Sequence, residues 1–233
     1  MSDGLVLAFA RDSGVVGHRP PCAASEGYER LKHMKNTDRL HMRLDEDHNP
    51  KDFEAVLDRL AFESRHYMLS GVISRSDATE LHRWMVAAAK VSTDPVTLHI
   101  TSEGGDVFSG VSMIQSITYL RGQGIRVTGL VEGQAMSMAS IILQACDHRV
   151  MTPMSVLMCH GVTFWSRGDL KNNRLELKLA EALTERVIDL YVARAHGIYA
   201  DRTFWTTQLE SSDPLYLMAP DALTAGLIDE VVA

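Results

Sequence analysis

Cysteine is scarce in this chain: Cys22, Cys146 and Cys159 are the only three in 233 residues, widely spaced and odd in number. That suits a reducing compartment better than a disulfide framework, so a cytoplasmic location is expected. The ten histidines form no HExxH and there is no CxxC, so neither a metal nor any other cofactor is expected. Positive charge is in deficit. Against 30 Asp and Glu stand 23 Lys and Arg, a formal net charge of −7, which favours neither nucleic acid nor an anionic membrane as partner. No apolar run approaches the about 20 residues that span a bilayer. The opening MSDGLVLAFARDSG has no basic segment before its short apolar patch, so it is not expected to act as a secretory leader. Internal repeats and low-complexity tracts are missing too. What remains is ordinary globular composition, 45% hydrophobic, enough for one domain with a substantial core.

Residues 1–50 mix Gly, Pro, charge and His without period, and Arg19-Pro20-Pro21-Cys22 breaks any helix. They are expected to form a partly disordered extension, with a short helix at 51–61 and the main domain over 51–233. From Arg65 the pattern is regular. Strands are expected at 67–73, 96–101, 125–131, 148–151 and 155–160. Helices are expected from Ser76 or Asp77, with Ala78, Leu81, Met85 and Ala88 on one face, and at 107–121 and 137–146. Alternating strands and helices argue for an α/β fold of right-handed βαβ units. Leu175, Leu179, Leu183, Val187 and Leu190 recur at helical spacing within 170–196, before Gly197. That helix is long for a crossover, so it either projects to pair with another copy or packs on its own sheet. A last helix is expected near 201–210.

Within this frame Gly133-Gln134-Ala135-Met136-Ser137-Met138-Ala139 puts one serine among small residues at a strand-to-helix turn. There the orphan N–H groups of a helix start face whatever reacts. A serine before a helix is ordinarily only an N-cap. Two other features point further. His160 ends the apolar run Ser155-Val156-Leu157-Met158-Cys159, where a strand delivers site residues, although a histidine closing a strand can be purely structural. Strand alternation turns Cys159 to the opposite face, into the core. Thr101-Ser102-Glu103-Gly104-Gly105-Asp106 follows a strand with paired glycines that offer bare N–H donors, a pattern otherwise read as a turn. A nucleophile, a base and an N–H-rich turn are the parts that acyl transfer requires.

In this order the segments resemble the proteolytic subunit family of the Clp protease, within the wider ClpP/crotonase fold, from about Arg65 to the C-terminus. Ile100-Thr101-Ser102-Glu103-Gly104-Gly105 is similar to its INSPGG turn, with glutamate in place of the usual proline. Gly133 to Ala139 resembles its GxAxSM segment, and Met158-Cys159-His160 its strand ending in the catalytic histidine. Leu217-Met218-Ala219-Pro220-Asp221-Ala222 and Gly226-Leu227-Ile228-Asp229 resemble its C-terminal signature. The resemblance implies ClpP/crotonase-type repeated ββα/βαβ units with a projecting handle helix at 170–196. It implies a serine endopeptidase with Ser137 as nucleophile, His160 as base, and the amides of Gly105 and Met138 as oxyanion hole. It also implies stacked heptameric rings, a tetradecamer enclosing its serines, which degrades unfolded or threaded polypeptides fed by an ATP-dependent unfoldase.

The third triad member departs from the family pattern. Ungapped counting back from the C-terminal signature places the family's aspartate on Pro214, and one inserted residue moves it to Asp213. Counting forward from Gly197 reaches Glu210 instead. Asp213 is preferred because it keeps the acid's chemistry for the smaller shift; Glu210, or a serine–histidine dyad, stays open. Glu103 is expected to alter substrate preference without abolishing the oxyanion hole. A bulky residue at Gly105 is expected to silence turnover while leaving the fold intact. The extension at 1–50 does not resemble the family's short axial loops, which bears on unfoldase docking. The alternatives are a non-catalytic ring subunit and a crotonase-type acyl-CoA enzyme, the second disfavoured by the pairing of Ser137 with His160. A membrane-linked signal-peptide peptidase would need a serine–lysine pair and an anchor, and no matching lysine or span is evident.

Overall fold

A computed structural model describes residues 50–163 and 169–232. The extension expected at 1–50 therefore lies almost wholly outside the described residues. The chain divides into two units within helix α1 (Pro50–Glu63), between Leu60 and Ala61. Of the unit 11–60, residues 50–60 are described, and they are helical.

The larger unit is a mixed α/β structure around one seven-stranded, mostly parallel sheet. Its elements in chain order are β1 (His66–Ile73), α2 (Arg75–Val91), β2 (Val96–Gly105), α3 (Val107–Gly122), β3 (Val127–Met136), α4 (Met138–Ala145), β4 (His148–Met151) and β5 (Val156–Cys159). There follow α5 (Leu170–Val192), a single 3₁₀ turn (Gly197–Ala200), α6 (Arg202–Glu210), β6 (Leu215–Met218), α7 (Ala219–Thr224) and β7 (Glu230–Val231). The sheet runs β1-β2-β3-β4-β7, with β5 inserted between β3 and β6, and only the β5–β6 pair is antiparallel.

α2 begins slightly earlier than the sequence indicates. Ser74 is its N-cap, and Asp77 is the third helical residue, accepting from the Ser74 N–H at 2.9 Å in a reciprocal capping box. The expected face, Ala78, Leu81, Met85 and Ala88, is the buried one. β3 is longer than expected because it bends rather than stops at Gly133. A φ of 124° there, with the N–H donated to Ser155 Oγ at 2.9 Å, lets the strand leave β4 and continue along β5. That continuation carries the chain to Ser137.

In α5, the face predicted from leucine spacing is only partly covered. Ala180, Val187, Ile188 and Tyr191 are buried, whereas Leu175 and Leu179 are 56% and 40% exposed. The C-terminal half packs on the body, with Tyr191 stacked on Trp205 of α6 at 4.2 Å between ring centroids. The helix ends at Val192, ahead of Gly197, which starts the 3₁₀ turn at φ 55°. No helix among the described residues is long and apolar enough to cross a membrane.

Candidate active site

Ser137 joins the end of β3 to the start of α4 in a conformation that side chains rarely adopt, φ 53° and ψ −123°. Such a conformation costs on the order of 1–3 kcal/mol and persists only where the surroundings enforce it. They do so through three hydrogen bonds. Ser137 N–H donates to Met158 O at 2.8 Å, and Ser137 O accepts from Ser140 N–H at 3.0 Å and from Ser140 Oγ at 2.6 Å. Ser137 occupies the N-cap position of α4, yet its hydroxyl makes no capping bond. Instead Oγ lies 3.0 Å from Nε2 of His160. The plain N-cap reading therefore does not account for this side chain.

His160 follows β5 directly and is partly buried. Desolvation lowers its pKa from the usual 6.5, and a hydrogen bond with the Gly161 backbone works the other way without cancelling it. Burial thus favours the neutral ring, the form in which it can accept a proton. Cys159 points away into the core, as alternation requires, and burial pushes its thiol up to about 11.

The two candidate acids lie on the segment that flanks His160. A Cβ on Gly161 would strike the carbonyl of Leu209, the residue before Glu210. Cys159 pairs with Leu215, two residues after Asp213. Asp213 is exposed; its N–H donates to Ser211 Oγ at 3.1 Å and its carbonyl accepts from Gln208 Nε2 at 2.7 Å. Glu210 is exposed as well. Among the hydrogen bonds and ion pairs of the described residues, none joins either carboxylate to His160.

The glycine turn abuts the serine. Ser102, fully buried, donates to Gly71 O at 2.7 Å and accepts from Gly104 N–H at 3.1 Å, fixing the end of β2. A Cβ on Gly104 would come within 2.7 Å of Ser137 Cβ and 2.9 Å of the Met138 nitrogen, so only glycine lets this backbone touch the nucleophile. Gly105 pairs with Ile73, and a Cβ there would strike that residue's carbonyl and lie 2.6 Å from its nitrogen. The expectation that a bulky Gly105 variant keeps its fold is therefore corrected: it would split β1 from β2. Met138 is the first residue of α4, so its N–H has no partner within the helix, and its side chain tucks against Gly110. Glu103, next to Gly104, is exposed.

Beside Ser137 opens a cavity of about 510 Å³ between α3 and α5, with Val107, Val111, Ile114, Ile141, Val162 and Leu183 among its walls. Sequence reasoning missed this cavity, as it missed Ser140 and Tyr191, whereas the close backbone approach expected of the paired glycines is made by Gly104. Ser140, three residues into the helix, carried a readable signal. The approach of α5 to α3 did not, because it depends on packing between distant segments. Among the described residues no group of three or more His, Cys, Asp or Glu could hold a metal ion.

Comparison with known proteins bears on the same span. The profile of the Clp protease family matches residues 50–233. An ATP-dependent Clp protease proteolytic subunit of Deinococcus radiodurans is 28% identical over 140 residues, covering 59% of this chain and 64% of that protein. One from Nephroselmis olivacea is 30% identical over 139 residues, covering 59% of this chain and 63% of that protein. The matches span less than two thirds of the length of either relative. With the family profile covering most of the sequence, the chain belongs to the Clp protease family.

Proposed function

We propose that this chain is a serine endopeptidase subunit of a Clp-type, self-compartmentalised protease. The observation that carries this reading is the 3.0 Å contact between His160 Nε2 and Ser137 Oγ, on a serine held in a strained turn and not used as a cap. His160 takes the hydroxyl proton as Ser137 attacks a peptide carbonyl. The amides of Gly105 and Met138 receive the oxyanion, and the protonated His160 passes its proton to the leaving amine. Water then attacks the acyl-enzyme by the same route. Asp213 is the proposed orienting acid, two residues before the Leu215 that pairs with Cys159. A serine–histidine dyad is the second reading, since the carboxylates of Asp213 and Glu210 are both exposed.

The apolar cavity next to the nucleophile fits the side chain preceding the scissile bond, so peptides with a large apolar residue there are the preferred substrates. Unfolded polypeptides as natural substrates, stacked heptameric rings and an ATP-dependent unfoldase as partner belong to the same proposal; the family match and the words ATP-dependent and proteolytic subunit in the relatives' names support them. Hydrolysis of fluorogenic peptides with Leu or Met against Asp or Lys at that position tests the reading. The apolar series is cleaved and Ser137→Ala abolishes cleavage. Cleavage that survives in Ser137→Ala, or the absence of any in an assembled wild type, refutes it; the latter would favour a non-catalytic ring subunit.

A further inference from the structure

The nucleophile's own carbonyl is the start of a buried hydrogen-bonded chain. Ser140 Oγ has one proton, and because a carbonyl cannot donate, that proton goes to Ser137 O at 2.6 Å. The same Oγ lies 2.6 Å from Tyr191 Oη, so the tyrosine is the donor in that pair. The thiol of Cys159, 3.9 Å away, points at the remaining lone pair. Ser140 and Cys159 are 0% exposed and Tyr191 1%, so no water competes for these bonds. Tyr191 is itself clamped, its ring stacked on Trp205 with 9° between the planes.

The geometry has a chemical consequence. Ser137 C=O and Met138 N–H belong to one planar peptide unit and point in opposite directions. Whatever fixes the carbonyl also aims the amide. We infer that Ser140 and Tyr191 are positioning residues for the oxyanion hole: by holding Ser137 O they orient the Met138 N–H toward the developing oxyanion. This rests on the reading of Ser137 as nucleophile. Tyr191 lies 51 positions from Ser140 in sequence and touches no reacting atom. It acts only through the peptide that it steers.

The test uses the full-length assembled protein and a fluorophosphonate, whose P=O occupies the place of the oxyanion. Maximal inactivation rate and half-saturating concentration are measured separately for wild type, Tyr191→Phe, Ser140→Ala and the double variant. Complete loss of an oxyanion donor costs about 10²–10³ in rate, so a misaimed one should cost about tenfold. Tyr191→Phe keeps the ring stack. It is expected to lower the maximal rate about tenfold at unchanged half-saturation and with an unmoved acid limb of the pH profile, since His160 is untouched. Ser140→Ala is expected to lose at least as much, and the double variant no more than Ser140→Ala alone, because both act on one bond. Folded variants that react at the wild-type rate, with only a lower melting temperature, overturn the inference and leave Ser137 as nucleophile. Additive losses overturn it too. A wild type that does not react, or a Ser137→Ala variant that does, overturns the nucleophile reading and this inference with it.

Discussion

Ser137 and His160 show how far single residues could be read in advance. Both lay in short segments whose local pattern, a small-residue turn and a strand end, specifies where the side chain goes. The acid did not, because one residue of register moves the choice between Pro214 and Asp213, and only tertiary packing sets that register. Exchange of the carboxylates decides it. Asp213→Asn is expected to lower kcat, by up to about 10⁴ if the imidazole loses its tautomer, with Glu210→Gln nearly silent. The reverse order assigns Glu210, and two silent variants leave a serine–histidine pair. His160 gives a second residue-scale prediction. Its pKa is lowered by desolvation, so the acid limb of kcat/KM is expected to have its midpoint below the usual 6.5. A midpoint above pH 6.5 would contradict a base whose pKa burial lowers. The same sign governs stability: the unfolded state binds the proton more readily, so this group favours the fold less as pH falls from 6.5 through the lowered pKa.

Elements were more legible than residues, and for a stated reason. Strands β1, β2, β3 and β5 and helices α2 and α3 alternate buried and open positions, whereas α4 is buried all round, so period finds the former and the small-residue turn marks the latter. The continuation of β3 past Gly133 was hidden, since it depends on β5 arriving as a second partner. So was the anchoring of the C-terminal β7. Arg149, 1% exposed, donates from Nη2 to Asp229 Oδ1 at 2.8 Å, and Arg194 Nη2 reaches Asp229 Oδ2 at 2.6 Å. Burial alone would raise the Asp229 pKa, but the hydrogen bonds and charge of Arg149, aided by Arg194, outweigh it and hold the carboxyl at about 2. Its contribution is complete above the usual 3.8 and lost as pH falls through about 2. Asp229→Ala, which strands the buried guanidinium, is expected to destabilise by about 3 kcal/mol and to flatten the pH dependence of Tm between about 4 and 2. An unchanged Tm would remove this pair from the account of the C-terminal anchor.

At the scale of the whole molecule, the N-terminal half of α5 exposes Leu175 and Leu179, four residues apart on one face, at 56% and 40%. A lone chain gains nothing from leucines in water, and a helix face of this kind is suited to burial against another copy. Leu175→Glu with Leu179→Glu is expected to reduce the particle to smaller species on size exclusion while leaving the circular dichroism spectrum intact. A particle of undiminished size would place the assembly contacts elsewhere. The central claim is that Ser137 is the nucleophile of this Clp family chain. The most direct measurement is fluorophosphonate labelling of the full-length protein, followed by mass spectrometry of its peptides. The account predicts one adduct, on Ser137, in a particle far larger than one 25.8 kDa chain, and none in Ser137→Ala. An adduct on another residue, or none on an assembled wild type, would contradict it.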